Sequence, residues 1–310
     1  MNEKIPLLID TDPGVDDALA LLMAFDDPRH RVVGLSIAAG NVGLRHTVAN
    51  ALKLCEVAGV DVPVFAGCPV PLVHEAEDAA YVHGLDGFGD TGYAPAAKRA
   101  ESEHAAMAII RLAREHSGKL LLVALGPLTN LALAVRLDPE LPEHVGRLVI
   151  MGGAVTGQGN TSVPAEFNIG FDPEAAAVVF RAFPQFDLAD WEAVLRHGFL
   201  HTDFAAWLTG GDHRARFYDS ISLKTRAWSE GKRGLHWHSA DALAMAVALA
   251  PEGIAQAETR HVAIETEGRL SRGATVVDWA GRNDQAANAR IALSYDQAAF
   301  EARIRGALGA

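Results

Sequence analysis

Apolar and polar positions along this chain follow two periods that take turns. The run Ile5-Pro-Leu-Leu-Ile9 is continuously apolar and ends in Asp10-Thr-Asp-Pro-Gly14, which predicts a buried strand followed by a turn. Over residues 15–25 the apolar side chains return at helical spacing. The alternation then repeats, with strands predicted over 31–38, 62–66, 119–125 and 147–151, and helices over 45–58, 101–116, 127–136 and 173–181. Near the end, 289–294 reads as a strand and 296–308 as a closing helix. Strands alternating with helices imply crossover units. The expected fold is therefore α/β, a mostly parallel, doubly wound (Rossmann-like) sheet with helices on both faces. In such sheets ligands bind at the C-terminal ends of the strands.

No linker or internal repeat divides the 310 residues, so a single domain over 1–310 is expected. Two stretches break the pattern. Residues 70–99 are rich in Gly, Asp and Pro with weak periodicity, as in a long loop or lid. Residues 210–232 mix polar and aromatic side chains and predict a covering segment, mostly helical.

Composition changes the picture only by exclusion. A net charge of −12 repels phosphate backbones, so no nucleic-acid partner is expected, and no apolar run approaches a membrane span. Two cysteines are too few for a disulfide framework or a four-thiolate zinc site. The first residues lack the long apolar region of a signal peptide, and the expected location is the cytoplasm.

The candidate chemistry begins at Asp10-Thr-Asp-Pro-Gly-Val-Asp-Asp17, four carboxylates within eight residues at the end of the first strand. Helix capping accounts for Asp16 and Asp17 but leaves Asp10 and Asp12 unexplained. So many acids in one place repel each other unless a cation sits among them, and oxygen-only ligands suit calcium or magnesium. An Asp-x-Asp in this position also resembles the nucleophile motif of haloacid-dehalogenase-type phosphatases. Those need a later Ser/Thr, a Lys and a further acidic pair; Thr129 and Lys119 are present, but no acidic pair follows in context.

A longer set of motifs resembles the inosine–uridine nucleoside hydrolase family. Its N-terminal signature is matched by the Asp10-to-Asp17 octapeptide, and further matches are Ala39-Gly-Asn41, His83-Gly84, Gly126-Pro-Leu-Thr-Asn130, Met151-Gly-Gly153, Glu166-Phe-Asn168, Asp172-Pro-Glu-Ala-Ala176 and Thr275-Val-Val-Asp278. The resemblance implies hydrolysis of the N-glycosidic bond of ribonucleosides, with Asp12 as the general base toward the attacking water. It implies a calcium site made of Asp10, Asp12, Asp17, the Leu125 carbonyl and Asp241. It places Asp16, Asn41, Asn160, Glu166 and Asn168 on the ribose hydroxyls, and suggests a homodimer or homotetramer. Positive charge develops on the sugar as its bond breaks, and carboxylates beneath the ring suit that transition state.

Each residue alone has a plainer reading. Asn41 and Asn160 sit beside glycines as turn residues do, and Glu166 and Asn168 flank Phe167 like solvated strand positions. Asp172-Pro-Glu174 reads as a helix start, and Asp241 as an acid at a helix N-terminus.

Two places depart from the pattern, one of them Asp190-Trp-Glu192, where the best-studied branch of the family has a different, less acidic segment. The best-studied branch of the family carries His immediately before the late metal-binding Asp, where it is thought to protonate the departing base; here that residue is Ala240. His83, His236, Trp237 and His238 are the candidates for contact with the leaving base. A nucleoside or ribose binder that lacks leaving-group activation is the other alternative to a hydrolase.

Overall fold

The computed structural model describes residues 3–310. An eight-stranded sheet runs through it. Its first six strands in chain order are β1 (Ile5–Thr11), β2 (His30–Ile37), β3 (Val64–Ala66), β4 (Leu120–Ala124), β5 (Val145–Met151) and β6 (Phe186–Ala189). Across the sheet the order is β3-β2-β1-β4-β5-β6, followed by Ala289–Tyr295 and then Ile254–Arg260 at the edge. Every pairing is parallel except the last. The expected doubly wound α/β fold is therefore present, with an antiparallel edge strand added.

The continuous apolar runs reflect burial on both faces, as parallel central strands require. Along β1 the side chains alternate between two cores. Leu7 and Ile9 pack with the helices Val15–Asp26, Ala240–Leu249 and Gln297–Leu308, whereas Leu8 packs with Ala105–Glu115, Thr129–Leu137 and Pro173–Ala182 on the opposite face. All three β1 side chains are fully buried. The order reverses between β1 and β4, so the chain leaves these neighbouring strands in opposite directions and opens a crevice at their C-terminal ends. Asp12 and Leu125 lie at the two strand ends that border it.

Element boundaries move by a few residues from the sequence expectation. The helix expected over 101–116 runs Ala105–Glu115, started by a backbone N–H of Ala106 donated to the His104 ring. The loop at 70–99 contains one short helix, Ala80–His83, and the segment after Gly210 is the long helix His213–Arg233. Phe167 and Asn168 lie in a short helix, Phe167–Phe171, not in a strand. Asp172 caps the next helix by accepting from the Ala175 N–H, as its Asp-Pro sequence anticipates.

Candidate active site

The turn after β1 is built to collect carboxylates. Asp17 sits in the first turn of the helix Val15–Asp26 and accepts from the backbone N–H groups of Gly14 (3.0 Å) and Asp12 (3.3 Å), from the Thr11 hydroxyl and from Asn41 Nδ2 (2.9 Å). It caps the helix and belongs to the acidic cluster at once. Asp12 Oδ2 accepts from the Asn41 backbone N–H at 2.6 Å, and Asn41 Nδ2 reaches the Asp12 carbonyl at 3.2 Å. Asn41 thus locks the two acids together instead of merely completing a turn.

Two glycines make room for Asp12. A Cβ on Gly40 would stand 2.0 Å from Asp12 Oδ2, and one on Gly126 would stand 2.3 Å from Oδ1. Asp10 takes other partners: its Oδ1 accepts from the Ser36 hydroxyl and from Asn130 Nδ2 (2.9 Å), while its Oδ2 is buried with no partner. Asn130, the last residue of the Gly126-to-Asn130 motif, therefore supports Asp10 from below the cleft.

Asp16, Asp17 and Asp241 offer oxygens within 4.8 Å of one another, the group of three acidic or His/Cys ligands that converges among the described residues. Asp10, Asp12, Asp17 and Asp241 are all buried. Burial pushes Asp10 up to about 6 and, with the neighbouring Asp16 charge, Asp17 up to about 7. Burial followed by the charge of Asp17 raises Asp12 well above the usual carboxylate range. Asp241 is raised in the same way by burial and by Asp16, Asp17 and Asp12. The charges acting on these groups are other carboxylates, and no lysine or arginine among them offsets the repulsion. This all-oxygen donor set, with no positive side chain among the charges acting on it, fits a hard divalent cation.

Above the cluster opens a cleft of about 1100 Å³, counting space open to solvent. Asp16, Asn41, Leu125, Asn160, Glu166, Asn168 and Asp241 are among the residues that line it. Asp16 Oδ1 is buried without a partner. Asn168 Nδ2 donates to the Leu125 carbonyl at 2.6 Å and to the Met151 carbonyl at 3.3 Å, tying the ends of β4 and β5 together. Glu166 caps the helix Phe167–Phe171 and accepts from the N–H groups of Gly153, Asn168 and Ile169. Its burial still pushes its carboxyl up to about 7. Asn160 Oδ1 accepts from the Phe167 N–H at 2.8 Å, which fixes the loop that carries it.

His83 reaches in from the 70–99 segment. Its Nδ1 accepts from the Val15 N–H at 3.1 Å and lies 4.0 Å from Asp16 Oδ1, and burial lowers its pKa. Trp237 and His238 line the cleft, whereas His236 is exposed and outside it. His238 is pulled down to about 4, by burial first and by the Arg233 charge second. Trp237 is buried and stacks on Phe204 with an interplanar angle of 9°, so much of its ring serves the core.

The aromatic and cationic wall of the cleft was not picked out from sequence. Tyr81, Trp191, Trp228, Ser229 and Arg233 line it. The only sequence signals were the unusual Asp190-Trp-Glu192 segment and the aromatic content of 210–232. Neither reveals a shared cleft, because the helix His213–Arg233 reaches Trp191 only through tertiary packing.

Comparison with known proteins places this geometry. The sequence profile described as inosine-uridine preferring nucleoside hydrolase matches residues 7–302. The chain belongs to that family. It is 36% identical over 300 residues to the non-specific ribonucleoside hydrolase RihC of Salmonella enteritidis PT4, covering 97% of this chain and 96% of the relative. It superposes on an inosine-guanosine nucleoside hydrolase with a TM-score of 0.92 at 31% identity, covering 98% of both chains. A purine-preferring ribonucleoside hydrolase from Gardnerella vaginalis superposes with a TM-score of 0.91 at 28% identity, again over 98% of both. The protein is thus a hydrolase of a metal-dependent N-glycosidase family. Among its described residues, no helix is long and apolar enough to cross a membrane.

Proposed function

We propose that the protein hydrolyses the N-glycosidic bond of ribonucleosides to ribose and free base, using calcium and Asp12. The observation that carries this reading is the buried carboxylate cluster beside a cleft lined by amide and carboxylate groups suited to a ribose. Asp12, Asp17, Asp241, the Leu125 carbonyl and the unpartnered Oδ2 of Asp10 would hold the ion. When bound, the ion acidifies water and orients the sugar diol.

The chain's own groups account for the remaining work. Asp12, clamped by Gly40, Asn41 and Gly126, takes the proton of the water that attacks C1′. Asp16, Asn41, Asn160, Glu166 and Asn168 bind the ribose hydroxyls and orient the ring. Asp16 stands where the ribose and metal sites meet, consistent with its buried, unpartnered oxygen. The carboxylate cluster favours the oxocarbenium-like sugar. His83 carries the lid segment 70–99 against the helix N-terminus, so lid position and site are mechanically joined. The phosphatase reading with Asp10 as nucleophile is not favoured, because the match to nucleoside hydrolases runs over residues 7–302.

We place the enzyme in the cytoplasm, consistent with two buried, unpaired cysteines, and as a homodimer or homotetramer, which light scattering would read directly. The decisive assay is reducing-sugar release from a nucleoside panel by wild type and Asp12→Ala, with calcium and after chelation. No release by folded, calcium-loaded wild type would refute the proposal.

A further inference from the structure

Among the residues lining the cleft is a positive charge, within electrostatic reach of Asp16 and His83, that the proposed chemistry does not use. Arg233 ends the helix His213–Arg233, and it is the lysine or arginine that lines the cleft among the described residues. Its guanidinium carbon lies 4.6 Å from the Trp191 ring centre and 5.1 Å from that of Trp228. Among the described residues it forms no ion pair and no hydrogen bond, although the chain carries a net charge of −12 and pairs many of its other arginines with carboxylates. The two indoles lie against the cation, and its N–H groups find no acceptor among the described residues.

Three more polar groups of residues lining the cleft are buried without partners: Ser229 Oγ, Trp237 Nε1 and His238 Nδ1. Ala240, next to them, offers no proton. The sugar end of the cleft is already furnished by Asp16, Asn41, Asn160, Glu166 and Asn168. That leaves Arg233 and these unpartnered groups for the other half of the substrate.

We infer that Arg233 is the leaving-group pole of this site: held between Trp191 and Trp228, its guanidinium donates to the O6 and N7 edge of a departing 6-oxopurine. This deepens the hydrolase reading and rests on it. As the glycosidic bond breaks, its electron pair goes to the purine, water oxygen bonds C1′, and the water proton passes to Asp12. The purine anion, stabilised by the guanidinium, takes its proton from solvent. Arg233 keeps all its protons, as its basicity requires.

The fork geometry sets the base class. A guanidinium meets two adjacent acceptors at once, and hypoxanthine and guanine present O6 and N7 on one edge. Adenine places an amino donor where O6 would be, and pyrimidines have no such pair on a fused ring. Inosine and guanosine should therefore be preferred over adenosine, uridine and cytidine.

The test compares holoenzymes of wild type, Arg233→Gln and Arg233→Lys on inosine, adenosine, inosine 5′-monophosphate and p-nitrophenyl β-D-ribofuranoside, whose leaving group needs no assistance. The expected result for Arg233→Gln is a fall of about 100-fold in the ratio of kcat/KM for inosine to that for the nitrophenyl riboside. Arg233→Lys should recover part of the rate but not the preference for inosine over adenosine, because an ammonium lacks the fork. Equal losses on both ribosides in variants with wild-type melting temperatures would make Arg233 a structural clip and overturn the assignment. A wild-type preference for the monophosphate that disappears in Arg233→Gln would make it a phosphate anchor, also overturning it. A wild type inert on every riboside would remove the hydrolase reading itself, and the assignment with it.

Discussion

Gly126→Ala tests whether the placement of one carboxylate sets the rate. The new Cβ would lie 2.3 Å from Asp12 Oδ1, 2.9 Å from its Cγ and 3.1 Å from its backbone nitrogen. Restoring an ordinary carbon–oxygen contact requires the carboxylate to retreat by about 1 Å. It cannot retreat freely, because Oδ2 is held by the Asn41 N–H at 2.6 Å and Gly40 closes the other side. Gly126 does not occupy the left-handed region, so alanine is acceptable to the backbone and the burden falls on Asp12. A displacement of about 1 Å in a reacting group costs on the order of 100-fold in rate. Overpacking of this kind costs about 1–3 kcal/mol of stability, which a large domain survives with a drop of several degrees in Tm. The assay is kcat/KM for inosine by reducing-sugar release, with calcium affinity and Tm measured on the same samples. Gly40→Ala pushes the same carboxylate from the opposite side and should act alike, and the two changes together should be less than additive. A folded Gly126→Ala enzyme within about threefold of wild type would refute the claim that Asp12 must stand where it does.

Further consequences can be checked with the same protein. Asp12→Asn should lower kcat by about 100- to 10000-fold with the fold intact, and a loss below tenfold would remove Asp12 as the general base. Burial raises Asp10 to about 6 and Asp17 to about 7, so the metal-free folded state retains protons that the unfolded chain releases near pH 4. The stability from those protons is fully present below about pH 4 and is lost as pH rises through about 6 to 7. Calcium requires the ionised forms, so the Tm gained on adding it should grow from about pH 5 to about pH 8; a gain independent of pH would contradict a site built of these carboxylates. Glu166→Gln turns an acceptor of three backbone N–H groups into a side chain with competing donors, and should cost about 1–3 kcal/mol in a chemical melt while raising KM for nucleosides. Asn168→Ala frees the Leu125 carbonyl and should weaken ribose binding more than calcium binding, read by titration calorimetry of each.

Much of the fold was legible in the sequence because its signals are local. A parallel strand buried on both faces needs an unbroken apolar run, and β1 has one; an amphipathic helix needs apolar residues at its own period, and Val15–Asp26 shows them. The Asp10-to-Asp17 turn was readable for the same reason, since four carboxylates in eight residues have few purely structural uses. Where short-range pattern misled, a cap was responsible. Glu166 and Asn168 alternate like strand positions, yet Glu166 accepts from the N–H groups that start a helix, and nothing in the alternation distinguishes the two.

What only the tertiary structure decided is how groups distant in the chain share space. The reversal of strand order between β1 and β4 sets Gly126 against Asp12 and brings Asn41 across both acids, contacts over separations that no periodicity encodes. Asn130 under Asp10 and Asn168 on the Leu125 carbonyl follow from helices docking on the sheet. Arg233 is the clearest case. In sequence it is an ordinary basic residue at a helix end, and its meaning comes from the indole that another element, after β6, places against it. Sequence determined which chemistry was available, through residue types and local periods; packing determined which of those residues face one another, because that depends on crossovers and helix docking over the whole chain.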